Sequence, residues 1–235
     1  MFGARGLVVA SQFARYAHPI RPLHCRVAIW YTIGMKILVI SGSPRGISSV
    51  AGHEAGFVNI PRPDGAVEPV PVDSCSERLA DAFIAGAAES GHVCVKRTLH
   101  VLRHIEPCRA CYGCIPTGKC ILQDDMQRLY SDFDEADAAL FVSPLYYATI
   151  PAQMLAVVNR LYPYWIDGIR YPKLKGVGVI GVCADYEQSW DLFDRTWRSI
   201  FVEIGWPEKG IVHAPRFMDH VDSYLRMAHE FGRSF

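Results

Sequence analysis

The sequence predicts the α/β class, a doubly wound parallel sheet of five strands, and three observations carry that expectation. Short runs of apolar residues at 37–40, 93–95, 138–142, 177–182 and 211–212 have the near-continuous hydrophobicity of strands buried on both faces. Between them lie segments whose apolar residues recur at helical spacing. The runs end in loops rich in small and turn-forming residues, as strands do where they hand over to crossover helices.

Residues 1–34 precede the first strand and carry Arg5, Arg15, Arg21 and Arg26 but no acidic residue. The bias superficially resembles an organellar transit peptide. Met35-Lys-Ile-Leu-Val-Ile also reads as a natural beginning for a first strand, so 1–34 is expected to be a poorly packed extension, or a mis-assigned start, ahead of one domain at 35–235. Strand 37–40 breaks into Ser41-Gly42-Ser43-Pro44-Arg45-Gly46. A small-residue loop between a buried strand and a helix can offer N–H groups, hydroxyls and an arginine to a phosphate, although a plain turn has the same composition. It matches neither G-x-G-x-x-G nor the Walker pattern.

Residues 46–73 are rich in Gly, Pro and short polar residues without a sustained period, and read as an inserted loop placed to act as a lid. Ser74-Cys-Ser-Glu77 is a capping-box pattern, and Leu79, Phe83 and Ala87 mark one buried face of a helix down to Gly91. After strand two comes a cysteine-rich loop, then a helix from Asp124-Asp125 to about Phe133, whose aspartates suit its N-terminal dipole and read as structural. Strand three ends in Ser143-Pro144-Leu145-Tyr146-Tyr147-Ala148-Thr149, which places two aromatic rings on a loop. A helix from about Pro151 to Tyr162 follows, with Met154, Leu155, Val158 and Leu161 as its core stripe. Strand four, a helix from about Gln188 to Ile204 with an aromatic stripe, a short fifth strand and a helix over 217–231 complete the chain.

The loop after strand two contains Cys108, Cys111, Cys114 and Cys120 in the spacing C-x2-C-x2-C-x5-C, close to the compact run that wraps an iron-sulfur cluster in bacterial ferredoxins. Tetrahedral zinc competes, but structural zinc sites usually draw their ligands from two separated knuckles. Four buried thiols without metal are a further alternative. A secreted disulfide scaffold fits poorly at 235 residues, and a reducing cytoplasm is the expected compartment.

With 24 basic and 24 acidic residues, nothing points to a nucleic-acid or acidic-membrane partner, and apolar stretches break well before the ~20 residues of a spanning helix. A small-molecule substrate or redox carrier is the expected partner. No G-x-S-x-G or H-E-x-x-H signature is present. For five strands joined by right-handed crossovers, the flavodoxin-like order 2-1-3-4-5 is the economical arrangement. It brings the loops after strands one, three and four to the switch point where such sheets bind ligands, with the cysteine loop on the same edge.

Ser41-Gly-Ser-Pro-Arg45, Pro107 with the four cysteines, Asp124-Asp125-Met126, Ala136-Asp137 and Ser143-Pro144-Leu-Tyr146, in that order, resemble the iron-sulfur flavoprotein family within the NADPH-dependent FMN reductases. The resemblance covers about residues 35 to 165 well and implies a homo-oligomer that binds FMN and a [4Fe-4S] cluster, with NAD(P)H as an electron donor. On this basis Ser41, Ser43, Arg45 and Ser76 hold the phosphate. Ser143, Pro144, Leu145, Tyr146 and Tyr147 line the isoalloxazine, and Cys108, Cys111, Cys114 and Cys120 are the cluster ligands. The chain departs from the family in its insertion and in Cys75-Ser76, where relatives carry an Asn-Thr or Asn-Ser pair, so Ser48 or Ser49 competes with Ser76.

The implied activity is an FMN-dependent oxidoreductase that passes electrons between a two-electron donor, FMN and the cluster. Dehydrogenation of a small cyclic carboxylate such as 2-amino-4-deoxychorismate, the reaction of one branch of the family, is the alternative, with Arg45 or Arg62 as anion contacts. A non-enzymatic redox sensor, whose thiols or cluster change state, is the alternative of another class.

Overall fold

The computed structural model describes residues 34–44, 57–61, 67–71, 74–102, 104–166, 174–184 and 190–235. Strands β1 (Lys36–Ser41), β4 (Val93–Thr98), β5 (Ala138–Pro144), β6 (Gly176–Val182) and β7 (Glu208–Ala214) form one sheet in the order β4-β1-β5-β6-β7. Every pairing is parallel. Counted within the sheet this is the expected order 2-1-3-4-5.

Alternation along β1 explains why the core has two halves. Leu38 and Ile40 face one side, Ile37 and Val39 the other, and all four are buried. The Leu38 side packs against helices α2 (Met126–Glu135), α3 (Ala152–Asn159) and α5 (Trp190–Ile204). The Ile37 side packs against α1 (Cys75–Glu89) and α6 (Val221–Arg233). The stripe of Leu79, Phe83 and Ala87 is fully buried there. The aromatic stripe of α5 is core: Trp197 lies 4.8 Å from Phe141 of β5, ring centre to ring centre.

Several local expectations change. Ser74 caps α1 by accepting the Glu77 N–H at 3.3 Å, while the Glu77 carboxylate lies against β4, 2.5 Å from Lys96 Nζ. The helix predicted over Pro151–Tyr162 ends at Asn159 and a short α4 (Tyr162–Trp165) follows, because Pro163 cannot continue the first ladder but suits a first turn. Its core face is Met154, Val157 and Leu161, with Leu155 and Val158 only partly buried. Strand β7 is seven residues long, with a bulge opposite Val177/Gly178 where Gly210 sits at φ 153°. The predicted helix over 217–231 is a 3-10 turn (Phe217–Asp219) and then α6. Within the insertion, β2 (Phe57–Pro61) and β3 (Val67–Pro71) pair as an antiparallel hairpin, which its Pro content had concealed. The expectations for residues 1–33 and for Arg45, Ser48, Ser49 and Arg62 lie outside the described residues. Among the described residues no helix is long and apolar enough to cross a membrane.

Candidate functional site

The carboxyl edge of the sheet is stitched by main-chain bonds that continue beyond the strands. Leu99 N donates to Ser41 O at 2.9 Å, Gly42 N to Val142 O at 2.8 Å, and Leu145 N to Val182 O at 2.9 Å. Ser41, Ser43 and Ser76 are all buried along this edge. The Ser41 hydroxyl is buried without a hydrogen-bond partner among the described residues. A buried hydroxyl left in that state is uncommon in a native core and is satisfied when an acceptor arrives. Gly42 lets the loop pass close to α3, since a Cβ there would lie 2.6 Å from Met154 Cε. Small hydroxyls, a tight glycine and the start of α1 on one edge fit the phosphate end of a mononucleotide.

Beyond β5 the predicted residues take different positions. The Ser143 hydroxyl donates to Pro144 O at 3.0 Å, and the Leu145 side chain is buried in the core. Tyr146 and Thr149 exchange main-chain bonds of 3.0 and 3.1 Å, closing a two-residue turn. Its central residues, Tyr147 and Ala148, sit at φ 52° and 59°. Such turns normally take Asn or Gly, so two ordinary side chains there are strained. The Tyr147 side chain is 98% exposed and that of Tyr146 40%. Strained backbone that presents aromatic rings at a ligand-binding edge is a functional-site signal.

Cys108, Cys111, Cys114 and Cys120 wall one cavity of about 140 Å³ together with Tyr130 and Arg160. The start of α2 clamps both ends of their loop. Asp125 Oδ2 accepts the His104 N–H at 3.1 Å, and Asp124 Oδ2 accepts that of Glu106 at 3.0 Å. Gln127 Nε2 donates to Cys120 O at 3.0 Å and to Leu122 O at 2.6 Å. Within the loop the Ala110 N–H donates to Cys108 Sγ at 3.4 Å, with Ala110 and Tyr112 both in the left-handed region.

Beneath the thiols lies a buried ion pair. Arg160 Nη1 donates to Asp124 Oδ2 at 2.7 Å and to Glu106 O at 2.9 Å, and Nη2 donates to Asp124 Oδ1 at 3.1 Å. The side chains are 1% and 2% exposed. Burial opposes the Asp124 charge, but Arg160 and the N–H groups of Glu106 and Met126 outweigh it and hold the carboxyl below its usual range. Burial likewise opposes the Arg160 charge, and Asp124, with the nearby Tyr130 and Cys120, outweighs it and raises the pKa. The Cys114 thiol is pushed up, first by burial and also by the other three sulfurs.

Among the described residues no three His, Cys, Asp or Glu side chains converge to hold a single metal ion. The four thiols line one cavity instead. With a peptide N–H on one sulfur and a permanent cation in the wall, the donor set fits an anionic sulfur-ligated group larger than one ion. Sequence reasoning recognised the cysteines and gave Asp124 only a helix-end role, but it missed Tyr130 and Arg160. The available signal was an arginine directly before the buried Leu161, at the end of a largely apolar helix.

This sheet and its edge define an α/β protein of the mononucleotide-binding, flavodoxin-like kind. The chain belongs to the NADPH-dependent FMN reductase family, whose family model matches residues 35–190. An iron-sulfur flavoprotein of Archaeoglobus fulgidus is 34% identical over 102 residues, 43% of this chain. The match spans 44% of that relative, less than half its length. Among solved structures, an NAD(P)H:quinone oxidoreductase from Methanothermobacter marburgensis superposes with a TM-score of 0.61 at 18% identity, covering 85% of this chain and 96% of that one. An FMN-dependent NADH-azoreductase from Bacillus anthracis, in complex with FMN, gives 0.56 at 12% identity, with 84% and 97% covered. At these identities the two structures establish the fold.

Proposed function

We propose that the chain is a cytoplasmic FMN-dependent oxidoreductase of the iron-sulfur flavoprotein type, acting on a small-molecule donor or redox carrier as a homo-oligomer. The observation that carries the reading is one sheet edge that combines a buried, unpartnered Ser41 hydroxyl with a four-thiol cavity on the loop after β4. Ser41, Ser43 and Ser76, with Arg45, hold the FMN phosphate; Pro144, Tyr146 and Tyr147 lie along the ring, with Ser143 and Leu145 bracing their loop from below. Cys108, Cys111, Cys114 and Cys120 hold a [4Fe-4S] cluster. Bound there, FMN supplies hydride acceptance from a donor such as NAD(P)H and the cluster supplies one-electron transfer. The protein's own part is to seat the phosphate, hold the four thiols on one anchored loop and keep a fixed cation beside them.

Anaerobic purification followed by counts of FMN, iron and sulfide tests the reading. One FMN per chain, four iron and four sulfide, and bleaching of the flavin by NAD(P)H are expected. Protein that takes up no FMN, or that takes up zinc in place of iron, overturns it. The insertion, part of which pairs as a hairpin, suits a second reading, in which it selects a dedicated substrate such as a small cyclic carboxylate. Flavin reduction by such a carboxylate, lost when 46–73 is replaced by a short linker that preserves FMN binding, distinguishes it from generic donor oxidation.

A further inference from the structure

Arg160 makes three of its hydrogen bonds through the two terminal nitrogens, which leaves Nε out of the fork on Asp124. Nε is buried and has no hydrogen-bond partner among the described residues. Arg160 lines the thiol cavity and Asp124 does not. Tyr130 braces the same residue by donating its hydroxyl to Arg160 O at 2.5 Å. An arginine so tightly held, with one buried N–H left without an acceptor among the described residues, is a donor prepared for a further group.

Resting on the cluster reading above, we propose that Arg160 is a positioning residue whose Nε–H and charge are directed at the sulfur of the cluster, with Asp124 fixing its orientation. Hydrogen bonds to cluster sulfur and a nearby positive charge favour the more negative, reduced state and so raise the reduction potential. The electron added in that step enters the cluster alone, with no bond made and no proton moved.

The test is a dithionite titration of anaerobically reconstituted full-length protein, following the paramagnetic signal of the reduced cluster, with iron and sulfide counted for each sample. Arg160→Lys keeps a cation opposite Asp124 but removes the planar fork and its Nε–H. R160Q/D124N keeps a hydrogen-bonded pair and removes both charges, which guards against a variant that fails to fold because one charge is left alone. At unchanged iron and sulfide content, the double variant is expected to lower the reduced-to-oxidised ratio at fixed potential at least tenfold, or 59 mV for one electron, and R160K to shift it less in the same direction. Titration curves coincident with wild type in both variants overturn the proposal. A wild-type protein that takes up no iron and sulfide under the same conditions overturns the cluster reading itself, so the two failures are distinct.

Discussion

Ser41 and Asp124 are both buried and polar, but one lacks a partner and the other has several. An unsatisfied buried hydroxyl costs about 1–3 kcal/mol. Ser41→Ala should therefore leave the FMN-free protein as stable or more stable, while the Kd for FMN rises about tenfold or more, given ~1.5–3 kcal/mol for a hydrogen bond to a charged group. Denaturant unfolding with and without FMN checks both signs, and a variant weakened without FMN would contradict the orphaned state. For Asp124, removing one member of a buried ion pair strands the other. Asp124→Ala is expected to cost about 3–5 kcal/mol in the apoprotein by urea titration. The folded-state pKa of Asp124 is depressed, so its contribution is complete above the ordinary value of 3.8 and is lost as pH falls through the lower folded value. Asp124→Asn should flatten that part of the acid limb, and an unchanged limb below pH 4 would show that another carboxylate dominates it.

Helix α1 meets α6 at backbone distance, and two glycines make the contact. A Cβ at Gly86 would lie 1.9 Å from His229 O, and one at Gly232 would lie 2.1 Å from Phe83 O. Gly86→Ala would gain about 0.5–1 kcal/mol of helix propensity at an exposed site. Here it is expected to destabilise by about 1–3 kcal/mol, because the main chain opposite cannot yield as a side chain could. Thermal unfolding decides, and a rise in Tm would mean that the helices separate freely. The Tyr146–Thr149 turn has the opposite sign. Ala148 stands at φ 59° where glycine carries no penalty, so Ala148→Gly should stabilise by about 1 kcal/mol in the same assay. The exposed Tyr147 ring should keep its position, because the bridge and not Ala148 sets it.

Across the whole molecule, the thiol loop is anchored independently of what it holds. Asp124, Asp125, Gln127 and Arg160 tie its ends to α2 and to the end of α3, and Cys120 packs against the core half that includes Tyr130 and Leu161. On the cluster reading, removing iron by chelation should leave the far-ultraviolet dichroism and a cooperative unfolding transition intact, unlike a zinc finger, where metal binding is folding. Collapse of the fold on chelation would show that the anchors are insufficient.

The order of the sheet, the buried face of α1, the serines after β1 and the four thiols of one loop were legible in the sequence because each is written locally, as a run, a period or a spacing. The hairpin within the insertion was not, since prolines in its strands hide the alternation. Nor was the break between α3 and α4 at Arg160–Leu161, where the tertiary demand of Asp124 coincides with Pro163. By itself the sequence determined the five-stranded order of the sheet and which loops carry the four cysteines and the small hydroxyl residues. Only the tertiary structure decided that Arg160 stands under the thiols, because its partner lies 36 residues away. Burial makes that pairing obligatory, and no local pattern encodes it.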